Sequence, residues 1–388
     1  MDSLTDYILW MRDLSFSAMP FQDVDALILS MLSYFDFDPA FERAETDEIR
    51  LRDCAGMIAE GQVRVHIAGK DLGYEAFFRA AVESERYGAL RMREYAELYR
   101  VEPPLQFSAV TFRGPSFSFI AYRGTDDTLA GWKEDFMIGS TVTEAQELAR
   151  DYALRNITGE GDWYIGGHSK GGNLALYAAC SLPEEQWAMI RRVYLLDGPG
   201  LCAEVMGEDC VGRVASQTTR IVPQFSVIGG LFAPEIPDTR IIRSSASGIL
   251  QHSLCSWGID HGRLALAKES DPRSAWLNDL LARWIDGISQ EDRVVFVNEL
   301  FDALSAGGAE TLDDIEDKGV GSFEAILVRL MSSSEITKKT IYDLPRRALY
   351  GGYYDEITRK GLGAWLWDRY LDKLSSKAEK GAEIGDDI

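Results

Sequence analysis

Residues 163–173 read WYIGGHSKGGN: a short apolar run, then Gly167-His168-Ser169-Lys170-Gly171, then the small and apolar stretch GNLALYAACS. The reading of this stretch decides the fold. A strand that turns sharply into a helix, with a serine at the turn and a glycine two residues to either side, is the pattern of a nucleophile elbow. The turn is so tight that side chains at Gly167 and Gly171 would strike the neighbouring backbone, and a strained backbone favours glycine. The same five residues could form a glycine-rich strand-to-helix turn that packs closely or holds a phosphate. The chain has no G-x-G-x-x-G and no Walker lysine pattern at this place, which favours the elbow.

Outward from the elbow, strands and helices alternate. LQFSAVTF and SFSFIAY, separated by Arg113-Gly114-Pro115-Ser116, predict a β-hairpin. A helix is expected in TEAQELARDYALRN, a strand in WYIGG, a helix in GNLALYAACS and a strand in RRVYLL. A helix near LCAEVMG and strands in TRIVPQF and TRIIRS complete the series. Alternation of this length implies right-handed crossovers and a mostly parallel sheet with helices on both faces.

Before the hairpin, FQDVDALILSMLSYF, PAFERAETDEIRLRDCAGMIAE and YEAFFRAAVESERYGALRMREYAELYR carry apolar residues at intervals of three and four, so the first hundred residues read as helical. After about Ala265 the pattern is again helical, as in AWLNDLLARWIDGI and DRVVFVNELFDALSA. The expected organisation is an N-terminal helical segment over 1–104, an α/β core over 105–265, a C-terminal helical region over 266–374 and a polar, disordered tail over 375–388.

Composition narrows the function. Of 388 residues, 40 are Lys or Arg and 62 are Asp or Glu, a formal net charge of -22 that opposes attraction to nucleic acid or to an anionic membrane surface. The five cysteines (Cys54, Cys180, Cys202, Cys210 and Cys255) include no CxxC pair, so neither a disulfide framework nor a structural zinc site is expected. No segment reaches the length of an apolar membrane span, and the first residues lack the pattern of a secretory signal. The expectation is a cytoplasmic protein of open oligomeric state.

A serine needs a base. His66 lies among the N-terminal helices, and His168 adjoins the nucleophile and is expected to bond beneath the turn. His252 in GILQHSLCSW and His261 in GIDHGR remain, and His252, on a loop after the last core strand, fits the chain order Ser, acid, His. For the acid, Asp197 closes RRVYLL at the carboxyl edge of the sheet, although an aspartate opening Asp-Gly-Pro-Gly can also be a turn cap. Asp238 and Asp260 are the other choices. The oxyanion donors are expected from the amides of Lys170, after the serine, and Thr125, in the YRGTDD loop. Arg123 would hold that loop by pairing with Asp135 or another acid.

AYRGTDDTLAGWKEDF followed by YIGGHSKGGNLA resembles the pattern of class 3 lipases. The N-terminal YILWMRDLSFSAMPFQDVDALILSMLSYFDF, the LLDGPG turn, PQFSVIGGLF and GILQHSLCSW also resemble a bacterial family of lipase-like α/β-hydrolases described as a domain of unknown function, with coverage nearly complete. The resemblance implies an α/β-hydrolase fold, Ser169 as nucleophile, His252 as base, Asp197 as the acid, and Thr125 and Lys170 amides around the oxyanion. It departs at Phe225, where the family pattern carries an acid before the serine of PQxS. The implied activity is hydrolysis of a lipid or other acyl ester through a covalent intermediate, with no metal or organic cofactor. The N-terminal helices and PQFSVIGGLF would wall the acyl site. A binding protein that keeps the pocket without the chemistry is the alternative.

Overall fold

The computed structural model describes residues 1–67, 73–101, 103, 105–125, 142–159, 161–201 and 208–272, with scattered positions between 274 and 337. The chain divides into two units, Met1–Ala282 with Ala309–Lys318, and Arg283–Gly308 with Gly319–Ile388. In the second unit the described residues include Ser334, whose hydroxyl donates to Glu299 at 2.7 Å.

The first unit is built on an eight-stranded sheet in sequential order: β1 (Glu48–Arg50), β2 (Arg91–Arg100), β3 (Leu105–Arg113), β4 (Phe117–Tyr122), β5 (Asp162–His168), β6 (Ile190–Leu196), β7 (Thr218–Pro223) and β8 (Asp238–Ile242). β1 to β4 pair antiparallel, and β4 to β8 pair parallel. A two-stranded ribbon of β9 (Ile259–Asp260) and β10 (Arg263–Leu264) follows.

Ten helices are described in this unit: α1 (Leu4–Met11), α2 (Asp23–Leu32), α3 (Asp38–Ala44), α4 (Ala55–Ala59), α5 (Tyr74–Glu83), α6 (Glu85–Gly88), α7 (Glu144–Asn156), α8 (Lys170–Ser181), α9 (Glu184–Trp187) and α10 (Glu208–Ala215). Alternation along the central strands supplies both faces of the sheet. Phe119, Ala121, Tyr194 and Leu196 pack with α1, α2 and α5. Ile120, Tyr122, Val193 and Leu195 pack with α7 and α8. Strands buried on both faces read as continuous apolar runs, which is why the buried parts VYLL of β6 and FSFIAY of β4 carry no charge. The mostly parallel sheet covered on both faces is an α/β-hydrolase fold.

The expected hairpin, α7, β5, α8 and β6 to β8 are present. Residues 91–100, expected as the end of a helix, are instead β2. The helix stops at Gly88, and β2 pairs with β3 from Arg91↔Arg113 to Arg100↔Leu105 with a bulge between Arg93 and Ala96. Glu94 sits there at φ 55°. The bulge shifts the alternation by one residue, so Met92, Tyr95, Ala96 and Tyr99 fall at intervals that imitate a helix. Residues 39–60 likewise contain β1 as well as helix. The expected helix near LCAEVMG, residues 201–207, lies outside the described residues except for Leu201, and so do the expected C-terminal helices beyond residue 274, apart from scattered positions, and the expected disordered tail. Among the described residues no helix is long and apolar enough to cross a membrane.

Candidate active site

β5 ends at His168, and α8 begins at Lys170, so one residue makes the whole turn. Ser169 takes φ 56° and ψ -128°, a conformation that side-chain-bearing residues rarely adopt and that costs about 1–3 kcal/mol unless surrounding contacts impose it. Those contacts are present. The Ser169 amide donates to the Leu196 carbonyl of β6 at 2.9 Å, and the Gly172 amide donates to the Ser169 carbonyl at 2.9 Å. A Cβ on Gly167 would lie within 3.0 Å of the Gly171 backbone and the Tyr122 carbonyl, and one on Gly171 within 3.0 Å of the Tyr122 backbone. The two glycines are therefore required by the close approach of β4. Ser169 is 7% exposed.

Asp197 follows β6 at the same edge of the sheet, with φ 43° and its amide donating to Ile221 at 2.8 Å. Its carboxylate is fully buried and accepts two hydrogen bonds, from His252 Nδ1 to Oδ2 at 2.7 Å and from Ser226 Oγ to Oδ1 at 2.5 Å. A carboxylate only accepts when ionised, so Nδ1 of His252 carries the proton. Its Nε2 is then the nitrogen that can take one up.

His252 ends a short 3-10 turn, Gly248–His252, on the loop after β8. Phe225 donates its amide to Gln251 Oε1 at 3.0 Å, and the Gln251 carbonyl accepts from Trp257 Nε1 at 2.8 Å. The departure at Phe225 leaves His252 its carboxylate, because Asp197 supplies it.

His168 bonds beneath the turn as expected, and one of its partners is the backbone of His252. His168 Nε2 lies 2.8 Å from the His252 carbonyl, and its Nδ1 lies 2.9 Å from Tyr34 Oη. A carbonyl only accepts, so Nε2 donates, and Nδ1 of the neutral ring accepts a hydrogen bond from the Tyr34 hydroxyl. The two imidazole rings are 4.5 Å apart. Burial first, then the proximity of His252, holds His168 well below the usual histidine range, against its hydrogen bond to the His252 backbone.

The remaining candidates are placed elsewhere. The His261 side chain is 96% exposed on the β9–β10 ribbon beside Asp260. His66 lies 3.6 Å from Glu97. Asp238 is engaged by Arg240, Arg192 and Thr219 and held below the usual carboxylate range, burial opposing and these partners outweighing it.

The loop after β4 lies against the elbow: a Cβ at Gly124 would come within 2.6 Å of the His168 carbonyl. Thr125 is the next residue, and Asp135 lies outside the described residues. Arg123, 3% exposed, donates to Glu97 of β2 at 2.7 Å. The Lys170 side chain is buried, with Nζ donating to the Gln106 carbonyl at 2.8 Å.

Several residues were not singled out from the sequence. Ser226, the serine of PQxS, bonds Asp197 from 29 positions away. Tyr34 is 134 positions from its partner His168. Asn173, within the quoted elbow, ties the turn after Asp197 to α8 by donating to the Gly200 carbonyl at 2.7 Å, and it accepts from Gln146 at 2.9 Å. The asparagine in GGN was the one visible signal among these.

An α/β-hydrolase fold with a strained serine at the β5–α8 turn and a bonded His–Asp pair at the same sheet edge defines the class. The family model described as Mbeg1-like matches residues 81–302, more than half of the chain, and the chain belongs to the Mbeg1-like family. Among solved structures, the crystal structure of M37 lipase is similar at 15% identity, covering 54% of this chain and 69% of that one, with a TM-score of 0.32. The comparison with curated proteins gives no match.

Proposed function

We propose that the protein is a serine hydrolase of carboxylic esters, acting on a lipid or other acyl ester as the class 3 lipase resemblance implies. The observation that carries this reading is the juxtaposition of a strained serine turn with a histidine whose Nδ1 is bonded to a buried carboxylate at 2.7 Å. His168, the residue before the serine, bonds to the His252 backbone, which brings the loop of the base to the elbow.

In the proposed reaction Ser169 Oγ attacks the ester carbonyl carbon while His252 Nε2 takes the hydroxyl proton. Asp197 stays ionised, orients the ring and stabilises the imidazolium. The amides of Lys170 and Thr125 donate to the tetrahedral oxyanion. Collapse expels the alcohol, which receives the proton from His252 and leaves an acyl group on Ser169. Water, deprotonated by His252, then attacks the acyl carbon; the carboxylic acid departs and Ser169 regains its proton. The burial of Asp197 serves this cycle, because a carboxylate out of water interacts more strongly with the imidazolium.

The test is labelling of the purified protein by a fluorophosphonate probe, with Ser169→Ala, His252→Ala and Asp197→Asn beside it, followed by turnover of p-nitrophenyl esters of increasing chain length. Labelling and turnover of the wild type, both lost in Ser169→Ala, are expected. A well-folded wild type that neither labels nor turns over any ester would overturn the proposal in favour of a binding protein.

A further inference from the structure

At the opposite end of β5 the sheet carries a second feature, an open cleft of about 860 Å³ among the start of β4, the β3–β4 turn, β1 and the segment after α1. Its walls include Arg50, Arg52, Arg91 and Arg113, with Glu48 and Glu85 as the acids. That concentration of arginine stands out in a chain with a net charge of -22.

The register explains how the charges gather. Arg50 of β1 is the direct partner of Arg91 of β2, and Arg91 is the direct partner of Arg113 of β3. Direct partners on adjacent strands share a face of the sheet, so three guanidinium side chains rise from three consecutive strands in one row. Like charges directly opposite one another are destabilising. The two acids relieve part of this. Glu48 bonds Arg91 at 3.1 Å and Glu85 bonds Arg52 at 3.1 Å. Among the described residues no acid bonds the side chain of Arg50 or Arg113, although the Arg50 backbone amide donates to Asp53 at 2.8 Å; the Arg113 side chain has one described hydrogen bond, to Ser118 Oγ at 3.4 Å, and its guanidinium lies 6.0 Å from the centre of the Trp163 ring. The row therefore holds two cations in excess of its acids, two strand spacings apart, or about 10 Å at the backbone.

We infer that this cleft binds a phosphate-bearing ligand, a phosphate ester or diphosphate, across Arg50, Arg91 and Arg113. Guanidinium groups present paired donors that match phosphate oxygens, and a row of them suits an anion with several oxygens spread over more than one position. The cleft lies within the size range of small-molecule sites. It stands at the amino ends of β4 and β5, whereas Ser169 follows the carboxyl end of β5, seven residues or about 20 Å away. The site is therefore independent of the proposed ester chemistry.

Titration calorimetry of the full chain with inorganic pyrophosphate at low ionic strength tests it, beside Arg50→Gln, Arg113→Gln and Ser169→Ala. The expected result is one saturable site, weakened by about tenfold or more in each arginine variant, unchanged in Ser169→Ala, and weakened by added salt. Citrate is expected to bind more weakly than pyrophosphate. In the absence of ligand the arginine variants are expected to melt no lower than the wild type, since each removes a charge from a like-charged row. A measurement without variants reads the same site: pyrophosphate should protect Arg50, Arg91 and Arg113 of the wild type from phenylglyoxal, followed by peptide mass. Absence of saturable binding, unaltered affinity in both arginine variants, tighter binding of citrate, or no protection would each overturn the assignment.

Discussion

Two buried aspartates, one on α2 and one just after β6 at the carboxyl edge of the sheet, are both paired with a cationic or potentially cationic side chain. Asp25 of α2 holds Arg86 through bonds of 2.9 and 2.6 Å, and it also accepts from Tyr87 Oη at 2.6 Å and from the Gln22 amide at 2.7 Å. Arg86 spends another donor on the Met19 carbonyl at 2.8 Å and stacks on Phe16 at 3.9 Å. Both side chains are wholly buried. Asp197 is just as buried, but its partner His252 is 21% exposed. The lesson is that burial and pairing alone do not mark a site. An arginine bonded to a buried carboxylate keeps its charge at any ordinary pH and closes a network, whereas a histidine in the same position leaves a second nitrogen that can gain or lose a proton.

The sharpest way to break this comparison is to neutralise each aspartate in turn. Asp197→Asn should lower ester turnover by about 10⁴-fold, because an amide can hold His252 in the wrong tautomer. Its melting temperature should move much less than that of Asp25→Asn. The latter should lose about 3–5 kcal/mol of stability, since it leaves Arg86 buried without its counter-charge. Kinetics and urea melts on the two variants give the answer. Equal losses of stability, with turnover retained in Asp197→Asn, would mean that both pairs are architecture.

How far the sequence revealed this molecule depends on the range of the interaction. The β5–Ser169–α8 turn was legible because its sequence signature lies within eleven residues, even though Leu196 and Tyr122 help impose its geometry, and the β3–β4 hairpin was legible because its signature is equally local. Asp197 and His252 could be chosen by chain order along an alternating pattern. β2 was hidden because its bulge at Glu94 produces a helical spacing of apolar residues. Glu97, the partner of Arg123, was hidden with it. Ser226 and Tyr34 were illegible for a different reason: each bonds to a residue remote in sequence, and a lone serine or tyrosine carries no local mark of such a partner.

Ser226 sharpens the comparison by a smaller step. Asp25 accepts from three residues, whereas the side-chain bonds described for Asp197 come from His252 and Ser226 alone. Ser226→Ala should therefore reach catalysis. A hydrogen bond to a charged group contributes about 1.5–3 kcal/mol, so kcat/KM should fall by about tenfold or somewhat more, with labelling by the fluorophosphonate slowed rather than abolished. The carbonyl of residue 226, which accepts from Ser274 and Asn278, is retained in the variant, so the loop should keep its place. Unchanged kcat/KM in Ser226→Ala would show that His252 alone suffices to hold the carboxylate.

The smallest expected effect concerns pH and separates the two networks again. His168 is buried and neutral beside His252, with its proton affinity held well below the ordinary value of 6.5. In the unfolded chain it recovers that ordinary affinity, so below about pH 6.5 the unfolded state binds more protons than the folded one. Stability supplied by keeping this ring neutral is complete above that pH and declines as pH falls, by up to about 1.4 kcal/mol per pH unit, until the folded group itself titrates. His168→Gln keeps a donor able to reach the His252 carbonyl and has no ring to protonate. Its urea midpoint should be lower than that of the wild type at neutral pH but should fall less steeply between about pH 6.5 and 5. Asp25→Asn leaves the His168 ring and its partners Tyr34 and His252 in place, so it should leave the slope as it is. Parallel slopes for wild type and His168→Gln would mean that the ring is protonated in the folded protein. The Tyr34–His168–His252 chain would then be a charged one.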